Sequence, residues 1–272
     1  MSVSLVVCIG WIVALCIHEF CHAAVAYIGG DKSVKDKGYL TLNPLKYTDP
    51  GLTLVIPIIM LMLGGIALPG AAVYINRNAL RNRLWNSAVS AAGPFGSAVM
   101  IFVYAAPFML GMVERDPNNV LWPALAFLVL LQIVCLILNS LPIPPLDGYG
   151  VIEPWLPINA QAAMNRFGQF GVWIVFGLLW FVDPLNAALW MTAMFVANLL
   201  NVPSDMIQTG YHLFSEQKYY IIGILFLIMI LNKNGNKSVV ASAPVAAPAN
   251  ISESAVVKLP STENNMNTDV KE

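Results

Sequence analysis

The sequence predicts an all-α polytopic membrane protein, with about five to six transmembrane or re-entrant helices and short strand-like segments near its functional site. Three observations carry that prediction. The 272 residues are 58% hydrophobic and only 11% charged, with a mean hydropathy of +0.69, which is more apolar surface than a water-soluble core needs. The apolar residues fall in long runs almost free of charge, several of them reaching the roughly 20 residues that a helical bilayer crossing takes. Glycine, proline and Lys/Arg clusters separate these runs, as expected at the ends of membrane spans.

The first span covers about residues 4–28 and stops at Gly29-Gly30, followed by the polar run 31–37 and the lysines Lys32, Lys35, Lys37 and Lys46. Residues 38–42 read as a short strand-like piece. Residues 52–68 are apolar but marginal in length, and Pro57, Gly64 and Gly65 interrupt them. A second strand-like piece, 71–75, precedes the basic cluster Arg77, Arg81 and Arg83. Residues 84–113 carry no charge and suit a tilted span, which Gly93-Pro94 should kink or open to a close neighbour. After the polar turn Glu114-Arg115-Asp116, residues 117–146 are again uncharged, and Pro142, Pro144 and Pro145 break the helix before Asp147. Unwound backbone at membrane depth is tolerated where it lines a cavity or is buried in protein.

Beyond Gly148, residues 167–181 and 184–200 are apolar runs expected to form a hairpin. Residues 219–231 are short for a crossing and fit either the interface or a short span. From 232 onward the composition shifts to Ala, Pro, Ser, Asn and Lys, which reads as a disordered tail. The expected organisation is a membrane-embedded domain over 1–231, with its core at 4–150, and a tail over 232–272.

Composition also excludes some functions. A net charge of −1 and the lack of a basic patch give no support to nucleic-acid binding. Cys8, Cys16, Cys21 and Cys135 all fall in expected spans, where they pack as small apolar groups. A cleaved signal peptide is not expected, because there is no basic leading region and cleavage would strand the motif described next. Trp155, Trp173, Trp180 and Trp190 read as interface anchors or packing residues, and His212 lies in a polar stretch away from the other histidines.

His18, Glu19 and His22 spell H-E-x-x-H inside the first span, where Glu19 is the only charged side chain before Asp31. Residues four apart on a helix lie one turn apart and about 40° around its axis, so the two imidazoles can grip one metal ion. Such a pair supplies two of the three protein ligands of an open catalytic zinc site, with one Zn2+ expected per chain. Glu19 points about 100° away from His18, a direction suited to the bound water rather than the metal, which is the general-base position. An ionisable residue at this depth costs at least about 2.5 kcal/mol on insertion scales and is a functional candidate by default.

Lys and Arg near span ends favour the cytoplasm. By that rule Lys32 to Lys46 place the end of the first span inside, and Arg77 to Arg83 place the start of the 84–113 span inside too. Residues 52–68 should then turn back rather than cross. Under that re-entrant reading Asp147 shares a depth with His18 and His22 and is the candidate third ligand; a true crossing of 52–68 would put it on the opposite side.

H-E-x-x-H in a first span with a distant Leu146-Asp147-Gly148 resembles the site-2 protease family of intramembrane zinc metalloproteases. The segments Leu40-Thr41-Leu42-Asn43-Pro44 and Ala92-Gly93-Pro94 are similar to its compact bacterial and archaeal branch, and together the matches cover roughly residues 10–170. The resemblance implies a compact form without a PDZ or nucleotide-sensing domain. His18, His22 and Asp147 would be the zinc ligands, Glu19 the catalytic residue, and Asn139 a group that holds the substrate or polarises its carbonyl. The implied activity is that of a zinc metalloendopeptidase hydrolysing peptide bonds within or near transmembrane segments. The implied partners are a transmembrane protein substrate and the lipid bilayer, in a prokaryotic cell membrane with the site towards the cytoplasm. Ser97 departs from the family pattern, which usually has Asn three residues after the Gly-Pro proline, so a polar role there is expected to be weakened or shifted. Two other classes stay open: a non-proteolytic homologue acting as a membrane binding module or chaperone, and a metal transporter, although no internal repeat is visible.

Overall fold

The computed structural model describes residues 2–46 and 73–216, all within one compact unit, Met1–Leu227; a second unit, Ile228–Glu272, lies outside the described residues. The helices are α1 (Val3–Gly29), the single turn α2 (Ser33–Asp36), α3 (Arg83–Met109), α4 (Leu121–Asn139), the short α5 (Asp147–Ile152), α6 (Ile158–Phe181) and α7 (Asp183–Leu199). Residues 204–216 are also helical.

Three of these are long and apolar enough to cross a membrane: Val3–Gly29, the α3 region Arg83–Arg115, and Leu121–Asn139. At about 1.5 Å per residue even the shortest, 19 residues long, spans close to the roughly 30 Å of hydrocarbon. The chain is thus a helical membrane protein. Helix α1 ends where Gly30 adopts φ +130°, and its N–H returns to the Ala26 carbonyl. An added Cβ at Gly30 would strike the Ala79 carbonyl, and Arg81 N–H donates to the Gly29 carbonyl at 3.0 Å. Asn82 caps α3 by accepting from the Trp85 N–H at 3.1 Å.

Helices α1, α3 and α4 form the centre, with α5 against α3 and α7 against α4. Small residues let the backbones approach, as helices in lipid require. Ala14, Ala23 and Ala26 on α1, Ala105 on α3, and Ala124 and Ala126 on α4 are almost fully buried, and Gly10 sits directly against the Leu128 side chain. One apolar cluster joins Val7, Trp11 and Leu15 of α1 to Phe127, Leu128 and Leu131 of α4; another joins α3, α4 and α7 through Phe108, Ile133 and Leu189. The outward faces carry Leu5, Ile9, Phe95, Phe102 and Val103 in exposed positions, a composition suited to lipid rather than water.

Several expectations need correction. Residues 38–42 form no strand; they are a turn and bend in which Gly38 takes φ +76°. Residues 73–75 belong to no ladder either, and 71–72 lie outside the described residues. Instead, the backbone of 73–76 is held by side chains: Val73 N–H donates to Glu19, Asn76 N–H to Asp31, and the Tyr74 carbonyl accepts from Lys37 Nζ. The two apolar runs after residue 157 do not fold back as a hairpin but meet at a 95° bend. Only Val182 separates α6 from α7, and an antiparallel helix pair needs a loop of about two to five residues. Counting that bent pair as one span raises the candidate crossings among the described residues from three to four. The expectations for 52–68, 219–231 and the 232–272 tail fall outside the described residues. The chain on either side of the 52–68 run, however, lies at the C-terminal end of α1, tied there by the contacts of Lys37, Asp31 and Gly29.

Candidate metal centre

The period of α1 sets His18 and His22 one turn apart, and both are buried. Their Nε2 atoms lie 3.1 Å from each other. Asp147, the first residue of α5, brings its two carboxylate oxygens 3.2 Å from His18 Nε2 and 3.3 Å from His22 Nε2. Ligands arranged tetrahedrally about zinc at 2.0–2.1 Å are about 3.3 Å apart, so the two Nε2 atoms, each with one Asp147 oxygen beside it, are close enough to share one ion. Among the described residues, His18, His22 and Asp147 are the cluster of metal-type donors close enough to share one ion.

The outer ring nitrogens are held by partners on α3, and the Val89 carbonyl, which can only accept, sets the His22 tautomer. His22 Nδ1 donates to the Val89 carbonyl at 2.6 Å, and His18 Nδ1 lies 2.9 Å from Ser97 Oγ. With Nδ1 protonated on His22, and with Ser97 Oγ able to accept the same proton from His18, both Nε2 lone pairs are available towards Asp147, the usual outer-shell arrangement for metal-binding histidine. Both partners come from α3, on either side of Gly93-Pro94. Gly93 faces the imidazoles so closely that a Cβ there would collide with His22 Nε2. The close approach expected of Gly93-Pro94 is therefore an approach to the two imidazoles themselves. Ser97, for which a weakened role was expected, is buried and orients His18.

Glu19 is 2% exposed and borders the same cavity of about 320 Å³ as both histidines, Asn139 and Asp147. Its Oε2 accepts the Val73 N–H at 3.2 Å. Asn139, the last residue of α4, is buried at this wall and also borders a smaller cavity with His18, Ser97 and Gln132. All five sequence-predicted site residues thus converge. Sequence reasoning missed Gln132 and Arg77 as lining groups. Gln132 had a signal, since it and Asn139 lie seven residues, two turns, apart on a helix otherwise almost wholly apolar. Arg77 was read only as a topology marker, but it borders the cavity.

Two buried histidines and a half-buried aspartate beside a buried glutamate, built into a bundle of membrane helices, have the composition of a membrane-embedded metalloprotease centre. Rip2 of Mycolicibacterium smegmatis is 45% identical to the chain over 182 residues, covering 66% of this chain and 68% of that protein. Rip2 of Mycobacterium tuberculosis is 43% identical over 185 residues, covering 67% and 69%. YwhC of Bacillus subtilis is 36% identical, covering 66% of this chain and 81% of that protein. Each of the three bears the name "Putative zinc metalloprotease". No protein-family model matches the chain, and no solved structure does. The chain belongs to the site-2 protease family of zinc metalloproteases.

Proposed function

We propose that the chain is an intramembrane zinc metalloendopeptidase that hydrolyses peptide bonds within or near the transmembrane segments of other membrane proteins. The observation that carries this is the donor cluster of His18, His22 and Asp147, in which the two Nε2 atoms lie 3.1 Å apart and each has an Asp147 oxygen within 3.2–3.3 Å, beside a buried Glu19 in one cavity. In this reading the three residues hold one zinc ion. Bound there, zinc lowers the pKa of a water towards about 7 and polarises the scissile carbonyl.

The chain's own residues do the rest. Glu19 takes the proton of the attacking water and delivers it to the leaving amide nitrogen. The Val73 N–H holds one carboxylate oxygen of Glu19, which leaves the other for proton transfer. Asn139 donates from its amide to the substrate carbonyl. Ser97 and Val89 keep both imidazoles facing inward as charge develops. A substrate helix has its backbone hydrogen bonds satisfied, so it must unwind locally to enter the cavity.

Lys32, Lys35, Lys37, Arg77, Arg81 and Arg83 follow or precede the helix ends nearest the site. That charge bias supports a site towards the cytoplasmic face of a prokaryotic cell membrane. The decisive variant is Glu19→Gln in the full chain, reconstituted with a single-span reporter substrate. Zinc content should stay at about one per chain while cleavage falls by several orders of magnitude. Undiminished cleavage in Glu19→Gln would refute the mechanism.

A further inference from the structure

Asn139 can donate to a substrate carbonyl only if its carboxamide is turned with Nδ2 towards the reaction cavity and Oδ1 away from it. The two ends are alike in shape, so the hydrogen bonds made at the far end decide the orientation. Asn139 and Gln132 are each 4% exposed, and neither carboxamide makes a side-chain hydrogen bond among the described residues. Their polar atoms are not sealed in, since the Tyr149 hydroxyl is the one fully enclosed side-chain N or O without a partner among the described residues. Both carboxamides border the smaller cavity beside the metal centre, about 20 Å³ in volume, which His18 and Ser97 also line. Asn139 borders the larger cavity of about 320 Å³ as well, whereas Gln132 does not.

A cavity holds a water when it offers at least about 10–15 Å³ and two to four polar partners. The smaller cavity has room for one water and for no side chain. Much of its wall is apolar, Trp11 and Leu15 included, so the polar partners come from few groups. Ser97 Oγ lies 2.9 Å from His18 Nδ1, and when it accepts that ring proton its own O–H is left to donate. Two turns of α4 put the Cα atoms of Gln132 and Asn139 about 10.5 Å apart along the axis, and their carboxamides do not bond each other directly. One bridging water adds roughly 5–6 Å of reach, two hydrogen-bond lengths.

We infer that Gln132 is a positioning residue for peptide hydrolysis: together with Ser97 it holds one water in the smaller cavity, and that water turns the Asn139 carboxamide towards the substrate. The inference rests on the protease reading of the preceding section. The Ser97 O–H and the Gln132 N–H both donate to the water and occupy its two lone pairs. What the water then offers Asn139 is a proton, which Oδ1 accepts. Nδ2 is left facing the larger cavity, where it meets the scissile carbonyl and the negative charge that develops on its oxygen. Without Gln132 the water loses a fixed donor, and the Asn139 amide is free to flip and present Oδ1, which repels the carbonyl oxygen.

The test uses the full zinc-loaded chain with a single-span reporter substrate. Gln132→Met keeps the length of the side chain and removes its hydrogen-bonding ends. It should lower kcat about tenfold, the size of one good hydrogen bond, with KM and zinc content unchanged. Asn139→Ala, which deletes the donor itself, should lower kcat by about 10²–10³. Added to Asn139→Ala, Gln132→Met should have no further effect, because both residues act through the same bond to the substrate. A packing defect would instead lower kcat by the same factor in either background. A crystal structure of the zinc-loaded Glu19→Gln chain should show one water within about 3.2 Å of Gln132, Ser97 and Asn139, and adding Gln132→Met should remove it. The positioning role is overturned if Gln132→Met keeps wild-type kcat, if it loses zinc, if its effect is undiminished beside Asn139→Ala, or if no water occupies the cavity. All four of those results leave the protease reading standing; a wild-type chain that cleaves no reporter overturns that reading, and the positioning role with it.

Discussion

Gly93→Ala is the sharpest probe of the metal centre, because it adds one methyl group and removes no ligand. An ideal Cβ at Gly93 would lie 2.6 Å from both His18 Nε2 and His22 Cε1, and closer still to His22 Nε2. Carbon and nitrogen rest at about 3.5 Å or more, so the His18 ring must retreat by roughly 0.9 Å and the His22 ring by more. Zinc sites hold their distances to within about 0.2 Å, and a displacement several times larger takes the Nε2 atoms out of ligand range. Zinc affinity should therefore fall at least about 100-fold, the upper end of what outer-shell changes alone cause. The fold should survive. Alanine gains about 0.5–1 kcal/mol over glycine inside a helix, offset in part by crowding against the ring of Pro94. Zinc per chain, measured after dialysis against buffered zinc, reads the effect, with far-UV circular dichroism and metal-free thermal unfolding as controls on folding. A Gly93→Ala chain that binds zinc with wild-type affinity would refute the placement of Gly93 against the ligands.

The remaining predictions address the groups around that centre. Asp147→Ala should remove bound zinc under the same dialysis, and full occupancy in that variant would sink its assignment as third ligand. Ser97→Ala should weaken zinc by about 10–100-fold, since it leaves His18 Nδ1 without its partner; equal affinity would make the contact incidental. Asp31→Ala should leave the three ligands in place but destabilise the fold by about 2–4 kcal/mol, given the loss of hydrogen bonds to a buried carboxylate from Ser33 N, Ser33 Oγ and Asn76 N. An unchanged unfolding midpoint in detergent would show that residue 76 is anchored by other means.

What was legible in the sequence follows from how far each signal travels. The His18, Glu19 and His22 arrangement needs only the helical period, a local property. Asp147 is 125 positions beyond His22, yet it could be nominated because Leu146-Asp147-Gly148 resembles the family's segment and the prolines mark where helix α4 must stop. Ser97 and Val89 were not legible as histidine partners. One acts through a hydroxyl whose direction depends on the α1–α3 crossing, and the other through a backbone carbonyl that carries no sequence signature at all. Strand-like reading failed at 73–75 because pattern reports only whether a segment can extend, not what it pairs with. Here its partners are Glu19 and Lys37, with Asp31 holding the next residue, Asn76, rather than another strand.

Those contacts also give a physical basis for the sequence's choice of Glu19 over Asp31. Glu19 and Asp31 are both nearly inaccessible, at 2% and 1% exposure, and both receive a backbone N–H from residues 73–76. A carboxylate offers about four acceptor positions. Asp31 commits both oxygens, one to Ser33 N and Ser33 Oγ and the other to Asn76 N. It is a fixed anchor with little capacity left for a reacting group. Glu19 holds one N–H on one oxygen and faces the cavity that His18, His22 and Asp147 also border. Residues 73–76 therefore bind one carboxylate firmly and restrain the other lightly. The first bond fixes the segment to the end of α1, and the second aims Glu19 without exhausting its ability to accept a proton. This difference in commitment, more than burial or charge, leaves Glu19 the acceptor capacity that the proposed acid–base role needs and leaves Asp31 a structural anchor.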